Sequence, residues 1–213
     1  MGRPGGAHAM TSPVPDFIYL ASQSPRRSQL LEQLGVGHAL LLPDAEEDPE
    51  ALEAVLRNEA PKTYVQRVTA LKLQAAQQRL VRRNLLPAPI LCADTTVAMG
   101  QTIFGKPEDA EDAKRMLRAL SNRPHRVLTS IAVGWGDQYA VACSESWVTF
   151  AELDEPAIEA YVASGEPVGK AGAYAVQGRA AAHIAHMSGS YSGIMGLPLF
   201  ETAQTLRSIG FVL

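Results

Sequence analysis

Apolar positions along this chain recur with two periods, and each change of period marks the edge of an element. Phe17-Ile18-Tyr19-Leu20 is an aromatic and β-branched run that reads as a strand. It stops at Ser22. Ser24 is placed to cap a helix, Pro25 suits its first position, and Leu30, Leu31 and Leu34 recur at helical spacing until Gly35. Val36 to Leu42 is a second apolar run, ended by Pro43. A long helix is expected from Thr63, which has capping-box spacing to Gln66, with Val65, Val68, Leu71 and Ala75-Ala76 as its apolar side. Ile90 to Val97, bounded by Pro and Gly, reads as a buried strand. Asp109 can cap a helix carrying Ala113, Met116, Leu117 and Leu120 on one side. His125 to Val133 and Gln138 to Leu153 read as a strand pair joined at Gly134-Trp135-Gly136-Asp137. Asp154 starts a short helix through Ile158, Tyr161 and Val162, and a last helix runs from near Leu199 to Ile209.

Helices and strands alternate loosely and several strands are consecutive. That predicts an α/β fold: a mixed twisted sheet flanked by helices, with a cleft between two lobes. Residues 16–213 are expected to form a single domain, and the Gly- and Pro-rich stretch 1–15 a disordered extension or expression remnant. The chain has 213 residues, 46% hydrophobic and 19% charged, which suits a globular protein with a substantial core. A formal net charge of -3 argues against broad attraction to nucleic acid or membrane, while a local basic site remains open. No apolar run approaches the span of about 20 residues that a bilayer requires. Cys92 and Cys143 are too few for a disulfide scaffold or zinc cluster, and both are expected as buried free thiols in a reducing cytoplasm.

Chemistry enters first at the strand-to-helix junction. Ser22, Ser24, Arg26 and Arg27 lie beside unpaired helix N–H groups and the positive end of the helix dipole, a recipe for holding phosphate. Alternatively the serines only cap and the arginines only solvate. Asp44-Ala45-Glu46-Glu47-Asp48 is either a solvated acidic loop or a metal site. Lys72 borders the apolar side of its helix, so it either snorkels or aims at a cleft. Asp94 lies inside a buried strand, where a carboxylate needs a cation, a hydrogen-bond network or a solvent-facing end. Lys106, on a Gly-Lys-Pro turn, and the Gly-rich loop carrying Lys170 and Gln177 let backbone approach a ligand, or are plain turns. There is no GxxxxGK[ST] loop, no GxSxG serine and no HExxH pair. Cations with a few carboxylates are what phosphoanhydride hydrolysis requires: cations hold the polyphosphate, and carboxylates bind a metal and take a proton from water.

Ser22-Gln23-Ser24-Pro25-Arg26-Arg27, Ala93-Asp94-Thr95, Gly105-Lys106-Pro107, Lys170 to Tyr174, Gln177-Gly178 and Gly189 to Leu199 together resemble the Maf family of nucleoside triphosphate pyrophosphatases. The resemblance runs from Phe17 to the C-terminus. It implies a fold related to inosine triphosphate pyrophosphatases, and hydrolysis of a nucleoside triphosphate to monophosphate and pyrophosphate with magnesium or manganese. Asp94 would accept the proton. Ser22, Arg27, Lys72, Lys106 and Lys170 would surround the phosphates, and Arg26, Thr95 and Gln177 would bear on the base. Glu47, with Asp94, would ligate the metal. Ala93-Asp94-Thr95, Lys170-Ala171-Gly172-Ala173-Tyr174 and Gln177 look like the branch acting on dTTP and UTP, with CTP or modified pyrimidines beside them, since a glutamine amide offers both a donor and an acceptor. The resemblance also implies a homodimer; a non-catalytic nucleotide-binding regulator of cell division is the alternative. Glu46-Glu47, Ser130, Arg179-Ala180-Ala181 and Ser192-Gly193 depart from the family pattern.

Overall fold

The computed structural model describes residues 14–213. Most of the expected N-terminal extension lies outside the described residues. The chain opens with β1 (Phe17–Leu20), α1 (Pro25–Gln33) and β2 (Gly37–Leu40). Next come α2 (Pro61–Arg82), β3 (Ile90–Met99), β4 (Thr102–Phe104) and α3 (Ala110–Leu120). A hairpin of β5 (Pro124–Trp135) and β6 (Gln138–Phe150) leads to α4 (Glu155–Ala163), β7 (Ile184–Ser188), α5 (Tyr191–Met195) and α6 (Leu199–Ser208).

One seven-stranded mixed sheet results, in the order β2-β1-β3-β5-β6-β7 with β4 paired to β3. β1 runs parallel to β2 and β3, and the remaining pairs are antiparallel. Alternation along β3 divides the core. Ile90 and Cys92 pack with Leu73 and Ala76 of α2, while Leu91 and Ala93 pack with Leu31 of α1 and Leu206 of α6 on the opposite face. A separate cluster gathers α3, α4 and β4 around Phe150 and makes the second lobe.

Register creates the opening. β1 pairs only with the start of β3, at Tyr19↔Ile90 and Leu20↔Leu91, whereas β4 pairs from Val97 onward. Between those contacts one edge of β3 carries no partner strand, and Asp94 and Thr95 fall in the gap. A carboxylate in a buried strand thereby reaches a cleft.

Several expectations need correction. α2 starts at Pro61, not at Thr63, which is an exposed interior residue, so the capping box does not form; a proline at the first position needs no N–H partner there. Ser24 is the N-cap of α1, but its side chain makes no cap bond. The hairpin turn is only Gly136-Asp137, because Gly134 and Trp135 stay in the ladder opposite Tyr139 and Gln138. The run after Gly35 shrinks to four residues at the sheet edge, and β6 stops at Phe150, short of Leu153. β4, β7 and α5 were not anticipated. Cys92 is buried as expected, whereas Cys143 packs at the rim of the Tyr64–Val65 cluster and is only half-buried.

Candidate active site

The gap in the sheet opens into a cleft of about 860 Å³. Every residue expected to touch the phosphates, the base, the metal or the proton borders it. Ser22, Arg26 and Arg27 come from the β1–α1 junction; Lys72 from α2; Asp94 and Thr95 from β3; Lys106 from the turn after β4; Lys170 and Gln177 from the loop after α4.

Asp94 is 6% exposed, and its Oδ1 lies 2.6 Å from Lys72 Nζ. The same ammonium donates to Glu53 Oε1 at 2.8 Å. Burial pulls the Lys72 pKa down, but the Asp94 and Glu53 carboxylates more than offset it, leaving the ammonium above the ordinary lysine value. Glu53 also accepts from Lys106 at 2.9 Å. Two lysines and two carboxylates therefore form one chain of charge along the cleft floor.

The opposite wall belongs to the arginines. Arg27 donates from Nε to the Gly196 carbonyl at 2.8 Å, from one terminal nitrogen to Ser22 Oγ at 3.0 Å and from the other to Thr95 Oγ1 at 3.3 Å. Thr95 continues to Thr129 at 2.9 Å, and Thr129 donates to the Gly193 carbonyl at 2.7 Å. Three of the Arg27 donors thus tie α1 to β3 and α5, and fewer remain for a phosphate than its sequence setting suggested. Ser22 Oγ also accepts the Ser24 N–H at 3.2 Å. Arg26 has only a 3.4 Å contact, to the Met195 carbonyl. Burial lowers the Lys170 pKa, and the Arg26 charge lowers it further, so these two cations repel in a way that an anion between them would relieve.

Glu47 lines the cleft but is already engaged. Its carboxylate takes Arg79 Nε at 2.9 Å and the adjacent Arg79 nitrogen at 2.5 Å, with Arg82 at 2.7 Å. The acid that shares Lys72 with Asp94 is Glu53, which no motif in the sequence marks. A single 3₁₀ turn at Ala51–Glu53 delivers it from a segment without periodicity. Arg67 holds that segment to α2 through Glu59 and the Ala54 carbonyl, and Tyr64 donates to the Glu53 carbonyl at 3.0 Å.

Ser130, one of the departures, stands opposite Asp94 in the β5 ladder and is wholly buried. Gly193, another, is crowded: a Cβ there would meet Ser144 Oγ at 3.0 Å.

A mixed sheet opened along one edge, with cations on both walls and a carboxylate at its floor, defines an α/β protein with a charged cleft. The model of the Maf-like protein family matches residues 17–209, and the chain belongs to that family. A dTTP/UTP pyrophosphatase of Albidiferax ferrireducens is 69% identical over 196 residues, covering 92% of this chain and 98% of its own. Proteins of the same name from Polaromonas sp. and Ralstonia nicotianae are 63% and 60% identical, covering 93% and 92% of this chain and 98% and 95% of theirs. Among solved structures, a nucleoside-triphosphatase/dITP/XTP pyrophosphatase of Mycobacterium abscessus is similar with a TM-score of 0.38 at 16% identity, over 63% of this chain and 74% of that one. That likeness is too slight to bear on fold or function.

Proposed function

We propose that this protein is a cytoplasmic house-cleaning enzyme that hydrolyses dTTP and UTP, with CTP or modified pyrimidine nucleotides beside them, to monophosphate and pyrophosphate. The observation that carries the reading is the convergence of Arg26, Lys72, Lys106 and Lys170 with Asp94 on one cleft. The name shared by relatives above half identity supports the substrate class.

Water attacks the α-phosphorus, its oxygen stays on the monophosphate, and the bond to the bridging oxygen breaks as pyrophosphate leaves. Asp94 accepts the proton of that water, and Lys72 at 2.6 Å fixes the carboxylate's direction. Arg26, Lys106 and Lys170 offset charge on the triphosphate and the leaving group. The Gln177 amide offers a donor and an acceptor to the edge of thymine or uracil.

The donor set fits a divalent metal. Asp94 and Glu53 lie within 2.6 and 2.8 Å of the same Lys72 nitrogen, which brings the two carboxylates to one point of the cleft. Two carboxylates completed by substrate phosphates are a usual set for a hard cation, and among the described residues no group of three or more acid, His or Cys side chains is placed to do more. Magnesium or manganese held by Asp94 and Glu53, rather than Glu47, would supply Lewis-acid offset of phosphate charge. The homodimer belongs to the same proposal, and a monomeric mass in solution overturns it.

Product analysis tests the function. With dTTP and magnesium, equal amounts of dTMP and pyrophosphate are expected, and a chelator stops their release. Orthophosphate released one group at a time, or tight binding without turnover, overturns the reading in favour of a phosphatase or a regulator.

A further inference from the structure

Gln177 is exposed, so the aim of its side chain is set by the backbone that carries it. That backbone is held from one side. Glu166, just past the end of α4, accepts the Arg179 N–H at 3.0 Å through Oε2 and the Tyr161 hydroxyl at 2.8 Å through Oε1. The Tyr161 oxygen in turn accepts the Ala175 N–H at 3.3 Å, and Gly178 closes a turn onto the Ala175 carbonyl at 3.0 Å. Both flanks of Gln177 are thus tied to one carboxylate–phenol pair. Gly178 lies flat against it: a Cβ there would fall 2.2 Å from Glu166 Oε1. Its φ of -102° is open to any residue, so contact rather than conformation calls for glycine. Burial raises the Glu166 pKa, but the Arg179 N–H and the Tyr161 hydroxyl more than reverse this, and the carboxyl stays below its ordinary range.

We propose that Glu166, backed by Tyr161, is a positioning residue for base selection, clamping the Gln177-Gly178-Arg179 backbone so that the Gln177 amide meets the pyrimidine edge in fixed register. The inference rests on the base-reading role proposed above for Gln177. A glutamine at position 166 retains the size of the side chain but puts an NH₂ where both oxygens now accept, so at least one flank of the loop comes loose.

Steady-state kinetics with dTTP and dGTP on the wild type, Gln177→Ala, Glu166→Gln, Gly178→Ala and Tyr161→Phe test it. The wild type is expected to prefer dTTP, and Gln177→Ala to lose that preference. Glu166→Gln and Gly178→Ala each lower the dTTP-to-dGTP ratio of kcat/KM about tenfold, through KM for dTTP, with kcat within about twofold of wild type. The double variant shows no further loss, because both changes release the same clamp. A wild type without preference, or a Gln177→Ala variant that keeps it, overturns the base-reading role itself. Preference lost in Gln177→Ala but kept in Glu166→Gln and Gly178→Ala overturns the clamp alone. So does a fall in kcat with the ratio unchanged, the mark of a merely structural role. Should either variant fail to fold, Tyr161→Phe, which removes one hydroxyl, decides in its place.

Discussion

Asp94 and Arg27 both carry charge on the cleft, yet their surroundings give them opposite work. Asp94 spends one oxygen on Lys72 and turns the rest of its carboxylate to the cleft. Asp94→Asn keeps its shape and removes its basicity, and Lys72 retains Glu53 as a partner. The expected outcome is a loss of roughly a thousandfold in kcat for dTTP, with far-UV circular dichroism and melting temperature near wild type. Turnover within tenfold of wild type would remove Asp94 as proton acceptor. Arg27, by contrast, holds the Gly196 carbonyl, Ser22 and Thr95 with a rigid fork that a lysine cannot reproduce. Arg27→Lys leaves the buried Gly196 carbonyl without its guanidinium donor, while Ser22 and Thr95 keep the Ser24 N–H and Thr129 as partners, and urea denaturation should show a loss on the order of 2 kcal/mol. An unchanged midpoint would assign Arg27 to substrate alone.

Elements were legible in the sequence where one local rule decided them. Asp109 and Asp154 cap α3 and α4 through the Asp112 and Ala157 N–H groups, at 2.8 and 2.9 Å, as their spacing predicted. β7 was not legible: Ile184–Ser188 is an edge strand exposed along most of its length, so burial imposed no alternation on it. Glu53 escaped because a residue delivered by a single 3₁₀ turn carries no period, and its role appears only once Lys72 and Lys106 arrive from distant segments. The gap along β3 follows from a strand register, which no local pattern encodes. β5 also hides a titration. His125 is fully buried, and the pairing assigns its Nδ1–H to the Arg123 carbonyl and its Nε2 to the Tyr174 hydroxyl at 2.8 Å. Burial depresses its pKa from 6.5 to about 4. A depressed histidine leaves stability complete above about 6.5, and the unfolded chain takes up the proton first as the pH falls toward about 4. Glu47, held at about 2 chiefly by the Arg79 hydrogen bond, contributes stability that is present above 4.5 and lost only below it, in a separate window. Unfolding free energies from urea titrations at pH 7 and 4.5 should therefore differ by roughly 2 kcal/mol in the wild type, and His125→Gln should flatten most of that difference. An equal slope in the variant would place the titration elsewhere.

Across the whole molecule the cleft is the seam between two cores. Arg26 and Arg27 stand on the side built around Ile18, Leu31 and Leu206, whereas Lys106, Lys170 and Gln177 stand on the side built around Leu117, Phe150 and Ile158. Where Arg26 and Lys170 meet at that seam, like charges repel and disfavour its bare form. A triphosphate reaching both walls converts that repulsion into a tie between the lobes, while a nucleoside lacking phosphates touches too few of them to do so. Binding only the folded state stabilises it by about 2.7 kcal/mol at a ligand concentration of 100 Kd. For a chain of this size that is a rise of about 5–10 °C in Tm. A non-hydrolysable dTTP analogue should produce that rise and thymidine at the same concentration should not. Raising sodium chloride from about 0.1 to 1 M should shrink the effect, since screening weakens charge contacts more than contacts to the base. An equal rise with thymidine, or a shift indifferent to salt, would mean that the base rather than the polyphosphate bridges the cleft, and the cations on its two walls would need another purpose.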